Sequence, residues 1–501
     1  MKKILLLVLA AAMVLATGCG VATKETGGSE EITLTWVMPG PGEQEDSQKV
    51  WNEFNKRLKE YPGMENINVE VEVINSSEYA QKFLLMQTGN SNIDIAQTYT
   101  LNFAKEARNG TFIPLDAMLE KTPKLVEAIP EMFWGLGKVD GVTYIVPIYQ
   151  QMCSALWGFV TPKSLADKYL DLEAAQASMY ENDALPADSL DVIDAYLKAL
   201  KDNGEIQRGF AGVNPYIKDY EMIEYPYGIR VSDEKPVIVN VIEEESTAKV
   251  FEYASKWYKE GYISKDILSV TPEDYNGKVN GNTLWIDQVW KGTEAVNLAK
   301  YGFETTSINL ADYSYIPSKV PAGGTAIMTS SKHPEESMRL IELMNSEEGK
   351  DLYNLMVYGI EGEHYTMIGD DRVKPTDYAG IGTSGSKYGL WKWIVGNAFY
   401  AYDTDTDPED WKEYVFEELN MGENTKYSKL IGFQADLTKI ETKLAQVGAV
   451  NGEFGYVLVY GASDDWKKTY EEYLDKLDKC GNKEIMAEFQ SQIDAFLASN
   501  N

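Results

Sequence analysis

Three side chains with the chemistry of a reactive site fall within four positions in the stretch YGIEGEHYT, namely Glu361, Glu363 and His364. Two carboxylates beside an imidazole are the groups of a metal site or of an acid and base pair. The sequence contains only 2 histidines, and this spacing offers too few ligands to close a metal site. Gly359 is a natural end for the preceding helix, so we expect a structural role here, with ligand contact as the alternative and catalysis last.

Motifs of the common catalytic classes are absent from the sequence. There is no HExxH zinc motif, no GxSxG nucleophile elbow, no GxxxxGK[ST] phosphate loop and no CxxC pair. Cleavage of a glycosidic bond needs only two carboxylates. The 78 acidic residues therefore leave a carbohydrate hydrolase open as an alternative.

The acidic run DTDTDPED, from Asp403 to Asp410, places aspartates at alternate positions, as calcium loops do. Pro408 replaces the turn glycine of an EF-hand, and Tyr414 replaces its bidentate glutamate. We therefore expect a solvated acidic loop or a helix start before Trp411, with no metal and no other cofactor.

Composition and charge limit the class of protein and its partners. A chain of 501 residues with 44% hydrophobic and 12% aromatic content is folded and long enough for at least two lobes. The net charge of −32 argues against a nucleic-acid partner, because phosphate backbones are bound by clustered Lys and Arg.

The N-terminus predicts export and membrane attachment. Lys2 and Lys3 precede the apolar run ILLLVLAAAMVLA, which is too short for a comfortable membrane span and is typical of a signal peptide. The stretch LATGCG resembles the lipobox of bacterial lipoproteins. We expect a signal peptide over 1–18, lipid on Cys19 and a flexible tether over 19–31. Cys153 and Cys480 are then expected to be unpaired.

The folded part begins with strands and helices in alternation. ITLTWVM, INVEVEVI and NIDIAQTY are predicted strands, separated by amphipathic helices. This order predicts a parallel sheet whose binding edge, at the carboxyl ends of the strands, lies near residues 39–42, 75–77 and 97–99. A second region over about 161–302 has its own strands and helices, and the C-terminus predicts a helix on each side of Gly481.

Several stretches, in order, carry a resemblance to a family: NIDIAQTYTLNFAKEARNGTFIPLDAML, KVDGVTYIVPIYQ, GGTAIMTSSKHPEESMRLIELMNSEEG and YGIEGEHYT. With the lipobox, they resemble the carbohydrate-binding group of extracellular solute-binding lipoproteins of bacterial ABC importers. IGFQADLTKIETKLAQV and EFQSQIDAF resemble the C-terminal domain of unknown function of a Gram-positive subgroup.

The resemblance implies an α/β fold, a two-lobed clamp of the type II periplasmic-binding-protein class, with parallel-core sheets flanked by helices and a helical C-terminal extension. Lobe one is expected over 32–150 plus 303–365, and lobe two over 151–302 plus 366–501. The domain of unknown function is expected over 430–501. Hinge closure around a ligand and delivery to a membrane permease follow from the same resemblance, and Glu361 becomes a hinge or cleft-wall residue.

Sugar binding needs flat apolar faces for the C–H patches of a pyranose and planar polar groups for its hydroxyls. The aromatic candidates near the expected cleft are Trp36, Tyr99, Trp157, Trp285 and Trp393. The candidates for hydroxyl contacts are Asp94, Asp287, Glu361 and Asn397.

The resulting hypothesis is a non-catalytic, monomeric protein anchored by lipid to the extracellular face of a Gram-positive-type membrane. It captures a saccharide, preferably an oligosaccharide, and presents it to permease subunits. The alternatives are a surface-anchored carbohydrate hydrolase and a binding protein for a peptide or a cationic solute.

Overall fold

The computed structural model describes residues 31–499 except residues 90, 155, 182–186, 207–209, 211–213, 215–217, 270–282 and 377–386. The predicted signal peptide, Cys19 and the tether up to residue 30 lie outside the described residues. Within the described part, no helix has both the length and the apolar character needed to cross a membrane.

The first sheet has five strands, in the spatial order Ile67–Asn75, Ile32–Gly40, Ile95–Gln97, Gly324–Ile327 and Val146–Pro147. The first three run parallel to one another, and Gly324–Ile327 runs antiparallel to both of its neighbours. The predicted parallel arrangement is confirmed for the three N-terminal strands. Their carboxyl ends therefore meet at one edge of the sheet.

Helices cover both faces of this sheet because each carries one apolar stripe. The helix Ser47–Leu58, for example, buries Val50, Trp51, Phe54 and Leu58 and faces its charged residues outward. The other helices of this lobe are Tyr79–Thr88, Phe103–Arg108, Asp116–Leu119, Pro123–Glu127, Glu131–Trp134, Pro334–Met344 and Lys350–Tyr358.

A second sheet of three antiparallel strands has the spatial order Trp285–Gln288, Trp157–Pro162 and Thr305–Asn309. The helices of this lobe are Lys163–Tyr169, Leu172–Tyr180, Ala187–Asp202, Glu245–Glu260 and Thr293–Tyr301. The helix Glu245–Glu260 ends at Gly261, which has a left-handed φ of 75° and caps the helix.

The C-terminal helices pack on a small antiparallel sheet of the second lobe, so they share one core with it. The strands of that sheet are Ile238–Asn240, Tyr227–Arg230 and Tyr220–Glu224. The helices are Glu441–Val459, Trp466–Lys479 and Asn482–Ser499, which confirms the predicted helix on each side of Gly481. Ile238, Val241 and Phe251 belong to the same buried cluster as Tyr473 and Phe489.

The buried clusters place two segments differently from the expected division of the lobes. Thr305–Asn309 pairs with Trp157–Pro162, so this part of 303–365 belongs with the second sheet. Buried residues between 388 and 419 belong to the core of the first sheet, although we assigned that segment to lobe two. Local patterns did not predict either placement, because both depend on pairing between segments distant in sequence.

Segments that cross between the lobes lie side by side. Ser314–Ile316 pairs in parallel with Thr425–Tyr427, and the backbone N–H of Ser154 donates to the carbonyl of Tyr315 over 2.7 Å. Arg108 of the first lobe donates to the carbonyls of Gln434 and Ala435, which lead into the C-terminal helices.

The cysteines Cys153 and Cys480 are both free, as predicted. Burial raises the pKa of the Cys153 thiol to about 11, so this side chain is a neutral packing group at ordinary pH.

Candidate functional site

The turn after the strand Ile95–Gln97 fixes Tyr99 at the carboxyl edge of the first sheet. The side-chain oxygen of Gln97 accepts from the backbone N–H of Tyr99, and its amide donates to the Ala322 carbonyl over 2.9 Å. Thr100 adopts a left-handed φ of 69°, which costs free energy for a β-branched residue. A Cβ at Gly323 would lie 2.7 Å from the Tyr99 backbone nitrogen, so glycine is needed for this close approach.

Three partly exposed aromatic rings meet at this edge. The Tyr99 and Trp393 rings make an edge-to-face contact, with centroids 5.1 Å apart. Trp393 also stacks on Trp391, with centroids 5.0 Å apart and planes 7° from parallel. We call Tyr99, Trp391 and Trp393 the aromatic platform. Its members come from segments distant in sequence and form one apolar surface with hydrogen-bonding groups close by.

Beside the platform lies a cavity of about 200 Å³. It has aromatic walls with polar side chains between them, and its lining residues are Gln150, Gln151, Lys392, Trp393, Ala398, Phe399, Asp403, Trp411, Lys412 and Val415. Because Trp393 belongs to both features, the cavity and the aromatic platform form one continuous site. We call this the platform cavity.

Asn420 holds the segment that carries the two glutamines of the platform cavity. This side chain is fully buried. Its oxygen accepts from the Met152 N–H over 2.7 Å, and its amide donates to the Gln150 carbonyl over 2.6 Å. The glutamines are thereby placed on the segment that crosses from the first lobe to the second.

Charged side chains line part of the cavity, and they pair with further charged residues outside its lining. Asp403 is only 8% exposed, and each of its oxygens lies 3.9 Å from a lysine nitrogen, of Lys392 or of Lys412. Burial raises the pKa of the Asp403 carboxyl above its ordinary value, and the two lysines oppose this only in part. Lys392 also pairs with Asp407, and Lys412 pairs with Asp371.

These contacts correct the expectation of a solvated acidic loop for Asp403 and Asp407, whereas Asp405, Glu409 and Asp410 are exposed as expected. Asp403 is buried, Asp407 accepts from the Thr404 N–H, and Asp410 pairs with Lys291. The expected helix start is confirmed, because a short helix begins at Trp411. Among the residues that the structure describes, no group of His, Cys, Asp and Glu side chains could hold a metal ion.

The second lobe touches the first beside the platform cavity. The ion pair of Lys291 with Asp410 joins the loop after the strand Trp285–Gln288 to this wall. The Lys291 nitrogen also lies 5.5 Å from the ring centroid of Tyr414. The second lobe therefore contacts the first next to Trp411, which lines the platform cavity.

Four of the predicted site residues are partly exposed and lie in two places. Tyr99 and Trp393 are in contact at the site. On the second sheet, Trp157 and Asp287 are partly exposed on neighbouring strands, and the Asp287 carboxylate accepts from the N–H of the next residue, Gln288.

Four other candidates are buried and have structural roles. Trp36 and Trp285 are at most 1% exposed and lie in hydrophobic cores. Asp94 accepts from the Thr35 N–H and from the Ser331 hydroxyl, which joins two segments of the first lobe. Asn397 accepts from the Phe399 N–H and donates to the Ala128 carbonyl. We therefore omit these four from the proposed ligand contacts.

The stretch with Glu361, Glu363 and His364 is a turn fixed by its own contacts. The Nδ1 atom of His364 accepts from the Ile360 N–H over 2.9 Å, and its Nε2 atom lies 3.2 Å from Asp46. Glu363 pairs with Lys49 at the surface. Glu361 is exposed. The imidazole thus joins the turn to the loop after the first strand, and both of its nitrogens are engaged.

Sequence reasoning missed most of the polar groups of the platform cavity: Gln150, Gln151, Lys392, Asp403 and Lys412. No local pattern distinguishes these side chains, because they come from segments that meet only in the fold. Phe399 and Trp411 are aromatic residues, but their spacing in the sequence does not indicate that they line the same cavity.

Comparison with known proteins defines the family. The chain belongs to the bacterial extracellular solute-binding protein family, whose model matches residues 50–360. Residues 429–498 match a domain of unknown function, DUF3502. No curated protein matches the chain. The family confirms the predicted class of two-lobed solute-binding protein.

Solved structures of similar fold come from bacterial transport proteins. An N-glycan transport solute-binding protein, NgtS from Streptococcus pneumoniae, is 19% identical, with a TM-score of 0.77 over 94% of this chain and 100% of that one. The same protein in complex with Man5GlcNAc gives a TM-score of 0.66 at 19% identity, over 94% and 99%. The S. pneumoniae ABC-transporter substrate-binding protein FusA with kestose gives 0.59 at 12% identity, over 93% and 100%.

Proposed function

We propose that this solute-binding protein captures an oligosaccharide at the aromatic platform and platform cavity and delivers it to an ABC permease. The observation that carries the proposal is the aromatic platform continuing into a cavity that has both aromatic and polar walls. Pyranose rings present C–H patches to aromatic faces and hydroxyls to polar groups. Amide, ammonium and carboxylate groups in the cavity wall supply donors and acceptors for those hydroxyls.

The ligands named for similar structures support the same class of solute. NgtS is described with Man1GlcNAc and with Man5GlcNAc, and FusA with kestose. The platform and the platform cavity give a physical reason to extend that class to this chain.

We propose capture by hinge closure. The two-lobed fold supports this proposal, because hinged lobes enclose a ligand that lies between them when they close. Closure would bring the second lobe onto the saccharide.

We propose that Cys19 carries the lipid anchor and that the mature protein works as a monomer outside the cell, without catalysing a reaction or using a cofactor. The signal peptide, the lipobox and the tether support the anchor. Trp157 and Asp287 keep their proposed place on the second lobe. We no longer place Glu361 at the hinge, because Tyr358 and Tyr365, on either side of its turn, both belong to the core of the first sheet. We also propose the revised lobe division, in which 305–310 joins lobe two and 388–419 joins lobe one.

Incubation with a glycan array tests binding against hydrolysis. We expect saturable binding of a subset of oligosaccharides and no release of reducing ends. Released reducing ends would favour the hydrolase alternative. Saturable binding of peptides with no glycan bound would favour the second alternative.

A further inference from the structure

We infer that the platform cavity holds one terminal, uncharged sugar unit of the ligand and that the carboxylate of Asp403 accepts a hydrogen bond from a hydroxyl of that unit. This inference rests on the proposed function and adds the part of the ligand that the cavity selects. It makes Asp403 a specificity-determining residue, and the aromatic platform then receives the next units of the chain.

The first argument is an unsatisfied buried oxygen. Oδ1 of Asp403 is buried and has no hydrogen-bond partner among the described residues. The nearest cation is Lys392, whose nitrogen lies 3.9 Å away, beyond hydrogen-bond distance. A buried carboxylate oxygen without a donor is costly, because a charged group has lost its water without replacement. A ligand hydroxyl in the cavity that Asp403 lines would supply the missing donor.

The second argument is size. Ligand-sized pockets usually have volumes of roughly 300–1,000 Å³, and the platform cavity has about 200 Å³. It is too small for a whole oligosaccharide and suits one end of such a molecule. The platform lies beside the cavity, and its three adjoining rings offer a surface along which the remaining units can continue.

The third argument concerns charge. The two lysines of the cavity wall are already engaged, Lys392 with Asp407 over 3.1 Å and Lys412 with Asp371 over 2.9 Å. A carboxylate or sulfate on the terminal sugar would have to compete with these partners while facing the negative charge of Asp403. A neutral unit that donates a hydroxyl avoids this repulsion. The cavity therefore favours uncharged terminal sugars over acidic ones.

The test compares Asp403→Asn with a matched control, Glu409→Gln, which removes the same charge from an exposed position nearby. Binding to Man5GlcNAc and to kestose, each with an intact or a monodeoxy terminal unit, is measured by calorimetry, and thermal unfolding is measured for each variant. We expect Asp403→Asn to weaken binding of the intact sugar at least tenfold without lowering the melting temperature, since Asp403 makes few hydrogen bonds to the fold. Glu409→Gln should match the unsubstituted protein.

A monodeoxy sugar that lacks the donated hydroxyl should bind the unsubstituted protein as weakly as the intact sugar binds Asp403→Asn. Its affinity for Asp403→Asn should be little lower than its affinity for the unsubstituted protein. Normal binding by Asp403→Asn would overturn the inference and leave saccharide capture standing. If neither sugar bound the unsubstituted protein, the proposed function would fail for these ligands together with the inference.

A second variant covers the case in which Asp403→Asn does not fold. Ala398→Phe places a large ring at the lining of the cavity, and Ala398 takes no part in the ion pairs of Asp403 with Lys392 and Lys412. We expect it to exclude the terminal unit and to reduce binding at least tenfold. Unchanged binding by Ala398→Phe would overturn the inference.

Discussion

The indole rings of Trp391 and Trp393 lie with their centroids 5.0 Å apart and their planes within 7° of parallel. The same Trp393 ring contacts Tyr99 by its edge, at the carboxyl end of the third strand of the first sheet. Neighbouring rings hold the indole of Trp393 on two sides, so it loses little conformational freedom when a ligand binds. We therefore propose Trp393 as the anchor of the candidate site.

Replacing that anchor is expected to reduce saccharide binding sharply. Trp393→Ala removes an aromatic face shared by the platform and the cavity, and we expect affinity to fall at least about tenfold, as for a central aromatic contact. Calorimetric titration with an oligosaccharide selected on the array measures this. Trp466→Ala, in the C-terminal helices, is the matched control and should bind normally. Equal affinities for both variants would place the binding surface elsewhere.

Asn420 is expected to contribute both to the stability of the fold and to the affinity for the ligand. Asn420→Ala leaves the Met152 N–H and the Gln150 carbonyl without their partner, so the free energy of unfolding should fall by about 1–3 kcal/mol. Affinity should also fall, because Gln150 and Gln151 lose their fixed position. Urea unfolding and calorimetry give the two quantities. The exposed Asn424→Ala is the control, and an Asn420→Ala protein as stable as this control would contradict our assignment.

Local sequence patterns predict those helices and strands whose conformation depends mainly on their own residues. The helix Ser47–Leu58 and the strand Ile67–Asn75 follow from periodicity, and the helix ending at Gly261 follows from the conformational freedom of glycine. The strand Ile95–Gln97 is shorter than the predicted strand NIDIAQTY, because the chain turns at Thr98 and places Tyr99 beyond the strand.

The site was predictable only in its aromatic part. Tyr99 is predicted as an aromatic residue at a strand end, and Trp393 as an aromatic residue of the stretch LWKWIVGNAFY. Trp36 occupies an equally suitable strand but points into the core, and alternation alone does not decide which face of a strand is buried when both faces are covered by helices. Asp403 was hidden in an acidic run whose lysine partners come from other segments.

Arg108 is expected to restrain the segment that leads into the C-terminal helices. Its guanidinium donates to the carbonyls of Gln434 and Ala435 and also pairs with Asp140. Arg108→Ala should therefore increase hydrogen exchange of the backbone amides between residues 430 and 440, measured by mass spectrometry. Lys121→Ala, at an exposed surface position, is the control. Exchange equal to that of the control would mean that this contact does not hold the segment.

The ionised carboxylate of Asp371 is expected to stabilise the fold at pH values above about 4. Burial alone would raise the pKa of its carboxyl, but hydrogen bonds from Lys350 and Lys412 outweigh burial and hold the pKa below its ordinary value. The folded pKa is thus below the unfolded one, so the stabilisation is present above about pH 4 and is lost as the pH falls through the folded pKa.

Urea unfolding at a series of pH values tests this contribution. The unfolding free energy of Asp371→Asn should depend less on pH below about pH 4 than that of the unsubstituted protein. The neighbouring exposed Asp370→Asn should keep the full dependence. Identical pH profiles for Asp371→Asn and the unsubstituted protein would show that the two lysines do not stabilise the carboxylate.

Tryptophan fluorescence during titration with oligosaccharides tests the central claim most directly, because the platform that we propose to hold the ligand contains two indole rings. The account predicts a saturable change of emission with a neutral oligosaccharide, no such change with peptides or cationic solutes, and loss of the change in Trp393→Ala. A saturable response to peptides alone, or a saccharide response that Trp393→Ala retains in full, would contradict it.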